Sequence, residues 1–328
     1  MVTQVATISR LVGEFSARET LSRNPQLRRL NRIKSIHSSL AIENNTLTLD
    51  EVTAVLDGRR VLAPPQDIHE AKNAYEAYEH LSELDPYSIE DLLKAHGFMM
   101  AGLVKDAGRF RNGNVGVFAG EALIHAGTPA HYVPQVMSDL FAWLRTTQAH
   151  PLISSCVFHF EFEYIHPFSD GNGRTGRLWQ SLLLQRWEPL FAWLPIETLV
   201  AEHQQEYYDA LGRSQQDADA TGFVEFMLDI IVETLREQVR VSDSDNKPDN
   251  KPDNKSDNKS TEPTIDTALL KLLADNPTIT QVEAARRLGI ARSTLAKHLA
   301  ALRADGKIRR EGARKNGHWV VDVPEDGM

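Results

Sequence analysis

The sequence predicts a mostly α protein in two folded parts: a large helical part with one short β-hairpin, then a small helical part closed by two strands. Three observations predict this. Apolar residues recur at helical spacing along most of the chain up to Val239. Residues 245–260 are four tandem tetrapeptides, Asp-Asn-Lys-Pro twice and Asp-Asn-Lys-Ser twice, without one apolar side chain. Apolar periodicity then returns over residues 264–323.

Leu27, Leu30, Ile33 and Ile36 share one helical face, as do Ala71, Ala74, Tyr75 and Tyr78, and later Val136, Leu140, Trp143 and Leu144. Ile153 to Tyr164 and Leu178 to Trp187 are apolar-rich helical runs. Val224, Leu228, Ile231, Leu235 and Val239 give a last amphipathic helix before the repeats. Between them, Val115, Val117 and Phe118 face Ala122 to His125 across Ala119-Gly120-Glu121, a pattern suited to a hairpin. Residues 1–26 offer no readable motif.

The repeats have nothing apolar to bury, so they cannot offset the entropy of ordering and predict a linker. Extended at about 3 Å per residue it spans roughly 50 Å, which predicts two parts that move independently. The expected division is a first domain over 1–241, a linker over 242–263 and a second domain over 264–328. In the latter, Leu269, Leu270, Leu272 and Leu273 start a helix that stops near Asn276-Pro277. Thr280 and Glu283 form a capping box, Gly289 fits a turn, and Ser293 to Leu302 a third helix. Ile308 and Trp319 to Val321, with glycines at 306, 312 and 317, suit two strands. This is the pattern of a winged helix-turn-helix.

Bulk properties narrow the function. The chain has 328 residues, 41% of them hydrophobic, which is ordinary for globular domains. Its net charge of -9 argues against a generic nucleic-acid binder. Cys156 is the only cysteine, so neither an internal disulfide nor a Cys-based zinc site can form. The first residues lack a basic and apolar leader, and no long apolar run follows. A cytoplasmic location without a membrane partner is expected.

Residues 166–177 carry the chemistry: His-Pro-Phe-Ser-Asp-Gly-Asn-Gly-Arg-Thr-Gly-Arg. Helical sequence lies on both sides, so Gly171, Asn172 and Gly173 sit where a loop enters a helix. Backbone N–H groups point outward there, and the helix dipole favours anions such as phosphate. The glycines allow close backbone approach. Arg174 and Arg177 are three residues apart, hence on one face, where both can reach phosphate oxygens. Asp170 is a hard oxygen ligand suited to Mg²⁺ held jointly with phosphates. His166 can accept a proton near neutral pH.

This segment matches the Fic-family pattern His-Pro-Phe-x-Asp/Glu-Gly-Asn-Gly-Arg-x-x-Arg at every defined position. The resemblance implies a protein adenylyltransferase using ATP as co-substrate. His166 is then the base for a Ser, Thr or Tyr hydroxyl that attacks the α-phosphate. Asp170 holds Mg²⁺ between α- and β-phosphates. Gly171, Asn172 and Gly173 form the anion hole, Arg174 supports the phosphates and Arg177 reaches the γ-phosphate. Gly173 favours AMP transfer, since kinase-like relatives carry Lys there. Phe168 is expected as a core anchor. Gly108 to Phe118 resembles the approach to the Fic flap, an edge strand that pairs with the target polypeptide. Ile124 and His125, with Ala126, are the expected flap residues. Tyr207 and Tyr208 are placed beside the adenine pocket, though paired helical tyrosines are more often core. A protein target, modification of the chain itself and a homodimer are left open as partners.

Ser39 to Asn44 reads Ser-Leu-Ala-Ile-Glu-Asn, resembling the Fic inhibitory pattern Ser/Thr-x-x-x-Glu-Gly/Asn in its N-terminal form. An inhibitory helix over about 27–45 is expected. Ser39 and Glu43 lie one turn apart, so the hydroxyl can support the carboxylate. Glu43 paired with Arg177 would compete with the ATP γ-phosphate. Some relatives use this glutamate to position a water for AMP removal.

From Arg286 to His318 there are ten Lys/Arg against two Asp/Glu, unlike the acidic first domain. Arg292, Ser293, Thr294 and Lys297 open the third helix, where a helix-turn-helix reads the major groove. Arg309, Arg310 and Arg314, with Lys307 and Lys315, fall on the wing and suit duplex-DNA phosphates. Two readings follow: an autoinhibited adenylyltransferase with an accessory DNA-binding domain, or a DNA-binding regulator whose Fic domain senses nucleotide.

Overall fold

A computed structural model describes residues 1–17, 24–119, 122–245, 265–277, 279, 284, 287, 295, 298–299, 302–303, 307–311 and 318–321. The chain divides into two compact units, Met1–Pro248 and Asp249–Met328.

The first unit contains eleven helices among its described residues: α1 Val2–Ala17, α2 Pro25–Ile42, α3 Leu49–Leu56, α4 Pro65–Glu79, α5 Ile89–Met100, α6 Val133–Thr146, α7 Pro151–Ile165, α8 Asn172–Trp187, α9 Ile196–Glu202, α10 Gln204–Asp217 and α11 Thr221–Asp245. Between α5 and α6, β1 (Gly116–Ala119) pairs antiparallel with β2 (Ala122–Ala126), as the hairpin pattern predicts. Val117 faces His125 and Phe118 faces Leu123, so the register shifts at Ile124.

Local sequence starts these helices where they begin. Asn24 accepts from the Leu27 N–H ahead of Pro25 in α2. Thr48 and Glu51 close a capping box on α3. His150 caps α7, again just before a proline.

Two apolar clusters form the core, and α7 belongs to both. Phe158, Phe162 and Ile165 join Ile36, Leu40, Met100 and Trp179 in one. Leu152, Cys156 and Phe160 join Ile8, Phe15, Phe223 and Leu228 in the other. The apolar residues of α7 point to two sides, and each side is covered. With α8 packed against it, α7 is thus a fixed base for the 166–171 loop.

Two expectations need correction. The segment without a readable motif contains α1, whose Ile8, Leu11, Val12 and Phe15 are buried. In α2, Leu30 is 44% exposed, whereas Asn31, Ser35, Ser38 and Ser39 are buried. The helix turns a polar stripe inward because partners are present: Asn31 donates to Gln238 Oε1, Ser35 to Glu197 Oε2 and Ser38 to Thr198 Oγ1. Glu197 also accepts from Tyr78 and Ser181, so this buried carboxylate is hydrogen-bonded on both oxygens.

In the second unit, α12 (Ile265–Asp275) and a strand pair, β3 (Ile308–Glu311) with β4 (His318–Val321), are described. Leu269, Leu273, Ala284, Leu295, Leu299, Leu302, Ile308 and Trp319 form its buried core. Trp319 is anchored at both ends: its backbone N–H donates to Pro277 O and its indole to Ile279 O.

Candidate active site

The loop between α7 and α8 is held by three side chains. Asn172 donates to Phe168 O and accepts from Phe168 N–H, both at 2.9 Å. His96 stacks on Phe168 with centroids 3.7 Å apart; its Nδ1 accepts from Gly108 N–H, so its Nε2–H donates to Asp170 O at 3.0 Å. Burial lowers the His96 pKa, which keeps that neutral form. Phe168 is fully buried, as expected of an anchor.

Arg111 is the third. Its Nε donates to His166 O at 2.7 Å, and its other nitrogens donate to the carbonyls of Ile165, Gly113 and Thr128. His166 follows the last residue of α7 in a left-handed conformation, φ 53° and ψ 62°. A non-glycine residue there is strained, and Arg111 grips the carbonyl that turns with it.

The segment expected to cradle an anion, Gly171 to Gly173, lies at the opening of α8. Gly171, at φ +80°, would drive a Cβ into Met100. The α8 helix opens at Asn172, inside the motif. The Asn172 side chain is committed to the loop, so only its backbone can serve an anion. A Cβ on Gly173 would collide with the Glu43 carboxylate and with Arg177. The glycine therefore makes room for an anion, and a protein carboxylate fills that room.

Glu43 caps the end of α2, one residue past it. Asn44 follows at φ 65°, with its N–H on Ala41 O and the Asn45 N–H on Leu40 O. This left-handed ending favours Gly or Asn at position 44, which explains that feature of the pattern. Glu43 Oε1 accepts from Arg177 Nη2 at 2.7 Å. Ser39 supports the cation rather than the carboxylate: its hydroxyl accepts from Arg177 Nε at 3.2 Å and its carbonyl from Nη2 at 3.0 Å. Burial works to lower the Arg177 pKa, but Glu43, Tyr207 and Glu163 outweigh it and raise it.

Arg174 is also buried, 3.4 Å from Glu70 and 3.5 Å from Asp170. Glu70 in turn accepts from Asn45 at 2.9 Å. The turn after α2 is thereby tied to both arginines.

A cavity of about 210 Å³ opens on His166, Gly173, Arg177, Glu43, Glu163 and the two tyrosines. Tyr207 is buried and its hydroxyl meets His159 Nε2 at 3.0 Å; Tyr208 is 37% exposed and donates to Ile42 O. Gly116 of β1 borders the same cavity, while Ile124 and His125 lie on β2. Asp170 is exposed, and its Oδ1 accepts from Gly171 N–H at 2.6 Å. Among the described residues no cluster of three or more potential metal ligands occurs.

Sequence reasoning missed Glu163. It lines the cavity with its side chain 11% exposed, and desolvation raises its pKa to about 7, with Arg177 opposing and Glu43 adding to the shift. Its spacing three residues before His166 was the available signal.

In the second unit, Arg309 and Arg310 are exposed on β3, and Arg310 lies over the Trp319 ring at 5.5 Å. Arg292, Ser293, Thr294, Lys297 and Arg314 lie outside the described residues. Among the described residues no helix is long and apolar enough to cross a membrane.

Residues 86–184 match the Fic/DOC family, and residues 263–309 match a winged helix-turn-helix DNA-binding family. The crystal structure of a Fic family protein from Desulfovibrio desulfuricans G20 is 40% identical, covers 100% of this chain and 96% of its own, and has a TM-score of 0.72. A protein adenylyltransferase Fic of Aedes aegypti is 29% identical over 214 residues, 62% of this chain and 41% of that protein. The protein adenylyltransferase fic-1 of Caenorhabditis elegans is 31% identical over 211 residues, 58% and 39% of the two chains. The chain thus spans about two-fifths of the length of these curated relatives.

Proposed function

The chain belongs to the Fic family, and from that premise we propose that it transfers AMP from ATP to a Ser, Thr or Tyr hydroxyl of a target protein, restrained by Glu43. The observation that carries this reading is the Glu43 carboxylate on Arg177, 2.7 Å away, in the space that Gly173 leaves open. A site that holds a carboxylate with a guanidinium at a helix N-terminus suits a phosphate oxygen by the same physics.

In this mechanism His166 takes the hydroxyl proton as the oxygen bonds to the α-phosphorus, and pyrophosphate leaves. Backbone N–H groups at 171–173 face the phosphates, with Arg174 and Arg177 beside them. Asp170 is one exposed carboxylate, a hard oxygen that would hold Mg²⁺ arriving with the nucleotide. The ion, when bound, neutralises charge on the phosphates; Asp170 positions it. Tyr207 and Tyr208 line the end of the cavity assigned to adenine. The β1–β2 hairpin offers a strand edge for the target backbone.

The test is ATP labelled on the α-phosphate, with wild type and Glu43→Gly. Label on protein, stronger in the variant and extending to the chain itself, is the expected result. No label in either would overturn AMP transfer and favour the nucleotide-sensing alternative. Loss of label after washout, with Glu43 but not Gly, would add AMP removal.

The second unit supports a further role, duplex-DNA binding. Arg309 and Arg310 project from a strand, and Arg303 and Arg310 both stack on Trp319, at 5.0 and 5.5 Å. Fixed guanidinium groups of this kind suit phosphate contacts. The full chain titrated with duplex DNA should lose affinity as salt rises, with a log–log slope of about -0.9 per phosphate. Replacing Arg309 and Arg310 by Ala should flatten that slope by about one to two. Salt-independent affinity would point to protein contacts instead.

A further inference from the structure

Building on the AMP-transfer reading, we propose that Glu163 is a positioning residue for His166: its carboxylate accepts from the imidazole Nδ1–H and so leaves Nε2 to receive the target hydroxyl's proton. The placement begins in the helix. Glu163 and His166 are three residues apart at the end of α7, hence on one face. Glu163 Oε2 lies 4.0 Å from His166 Nδ1. Closing that gap by roughly 1 Å makes a hydrogen bond, an adjustment typical between a ligand-free site and its complex.

The other neighbours of Glu163 are committed elsewhere. Arg177 on α8 donates to Ser39 and Glu43. His159, one turn earlier on α7, holds Gln180 at 2.6 Å and Tyr207 of α10 at 3.0 Å, and is 3.8 Å from Glu163 Oε1. Burial drives His159 to a pKa of about 3, so it brings no positive charge. Glu43 on α2 repels Glu163. Glu163 Oε1 is buried without a hydrogen-bond partner. Gly176 of α8 has no Cβ there; one would stand 2.8 Å from that oxygen. The fold therefore accommodates a carboxylate beside the base and leaves part of its bonding capacity unmet, an arrangement concentrated at functional sites.

The proton accounting is closed. The hydroxyl oxygen bonds to the α-phosphorus, the bond from that phosphorus to the bridging oxygen breaks, and pyrophosphate departs with its electron pair. The hydroxyl proton moves to Nε2. The resulting imidazolium keeps its Nδ1–H on Glu163, which stays ionised and stabilises the new charge. Because burial places the Glu163 carboxyl near neutrality, activity requires two groups to be deprotonated as pH rises, Glu163 and His166.

The experiment uses the full chain carrying Glu43→Gly, with and without Glu163→Gln. Gln keeps the shape and removes the charge. The expected result is a kcat at least about 10-fold lower with KM for ATP within about two-fold, as for a group that acts through the base. The acid limb of log rate against pH should fall with a slope near two in the parent and near one with Glu163→Gln. Nitrogen NMR of His166 needs neither transfer nor a variant: at pH 8 the wild-type ring should carry its proton on Nδ1. A ring protonated on Nε2, or a limb of unchanged slope with unchanged kcat, would overturn the proposal. Absence of transfer in Glu43→Gly would remove the AMP-transfer reading, while the NMR result still decides the placement of Glu163.

Discussion

Arg174 and Arg177 stand one turn apart at the start of α8, and the protein treats them differently. Arg177 is matched: Ser39 accepts from it twice and Glu43 once, at 2.7–3.2 Å. Arg174 is just as buried but meets its acids only at 3.4 and 3.5 Å, and its Nε and Nη1 have no hydrogen-bond partner. A buried donor left unmatched is costly, so under the proposed function an incoming phosphate oxygen would relieve Arg174. At Arg177 the same oxygen must displace a carboxylate. The cradle thus has one side prepared for an anion and one side already answered by the chain's own anion.

The largest expected effect tests whether this difference concerns chemistry at all. In the Glu43→Gly chain, His166→Ala should reduce AMP transfer by about 10²–10⁴-fold while ATP affinity stays within about two-fold. Labelled transfer and calorimetric ATP titration measure the two. Equal rates with and without the imidazole would mean that His166 is not the base, whatever the arginines do.

Replacing Arg174 by Met should weaken ATP binding by about 10–10²-fold whether or not Glu43 is present, from the loss of a charge-assisted hydrogen bond. Replacing Arg177 by Met should matter that much only after Glu43→Gly, because in wild type the guanidinium is already engaged. A double-mutant cycle on ATP affinity reads the coupling directly. Additive effects of Glu43 and Arg177 would show that the contact does not gate the nucleotide.

The contrast also marks what a single sequence discloses. The loop was legible because it is local: twelve consecutive residues, 166–177, hold the histidine, the carboxylate, the glycines and both arginines. Ser39 and Glu43 were legible by their spacing and pattern. Their supports were not. Asn31, Ser35 and Ser38 look like a solvated helical face, and partners at least 160 positions away in the chain, Trp193, Glu197, Thr198 and Gln238, turn that face inward. The α1 helix was overlooked although Val5, Ile8, Leu11, Val12 and Phe15 recur at helical spacing; what was not legible is that α11, far along the chain, covers them. Arg111 falls in the segment that resembles the approach to the flap, but its grip on the loop was not legible, since its partners are carbonyls brought together by the fold. Ser39 shows the remaining limit: the spacing placed it beside Glu43, but the geometry gave its hydroxyl to Arg177.

The smallest effect concerns stability and extends the comparison to the unmatched acid on the same cavity. Burial raises the Glu163 carboxyl from 4.5 to about 7, so the folded state prefers it protonated. That preference contributes fully below the unfolded pKa and is lost as pH rises through the folded one. Wild type should therefore lose stability between about pH 4.5 and 7 through this group, by on the order of 1–2 kcal/mol once relaxation and water entry are allowed. Glu163→Gln has no proton to lose and escapes that decline. Denaturant unfolding at pH 5 and pH 8 measures it: the variant should gain on wild type by that amount at the higher pH. Arg177 sets the opposing limit, because a guanidinium released from Glu43 would favour the ionised form of Glu163. In the Glu43→Gly chain the pH-dependent loss should shrink. An undiminished loss would mean that Glu43 and Glu163 do not share Arg177, and that the matched and unmatched sides of the cavity are independent.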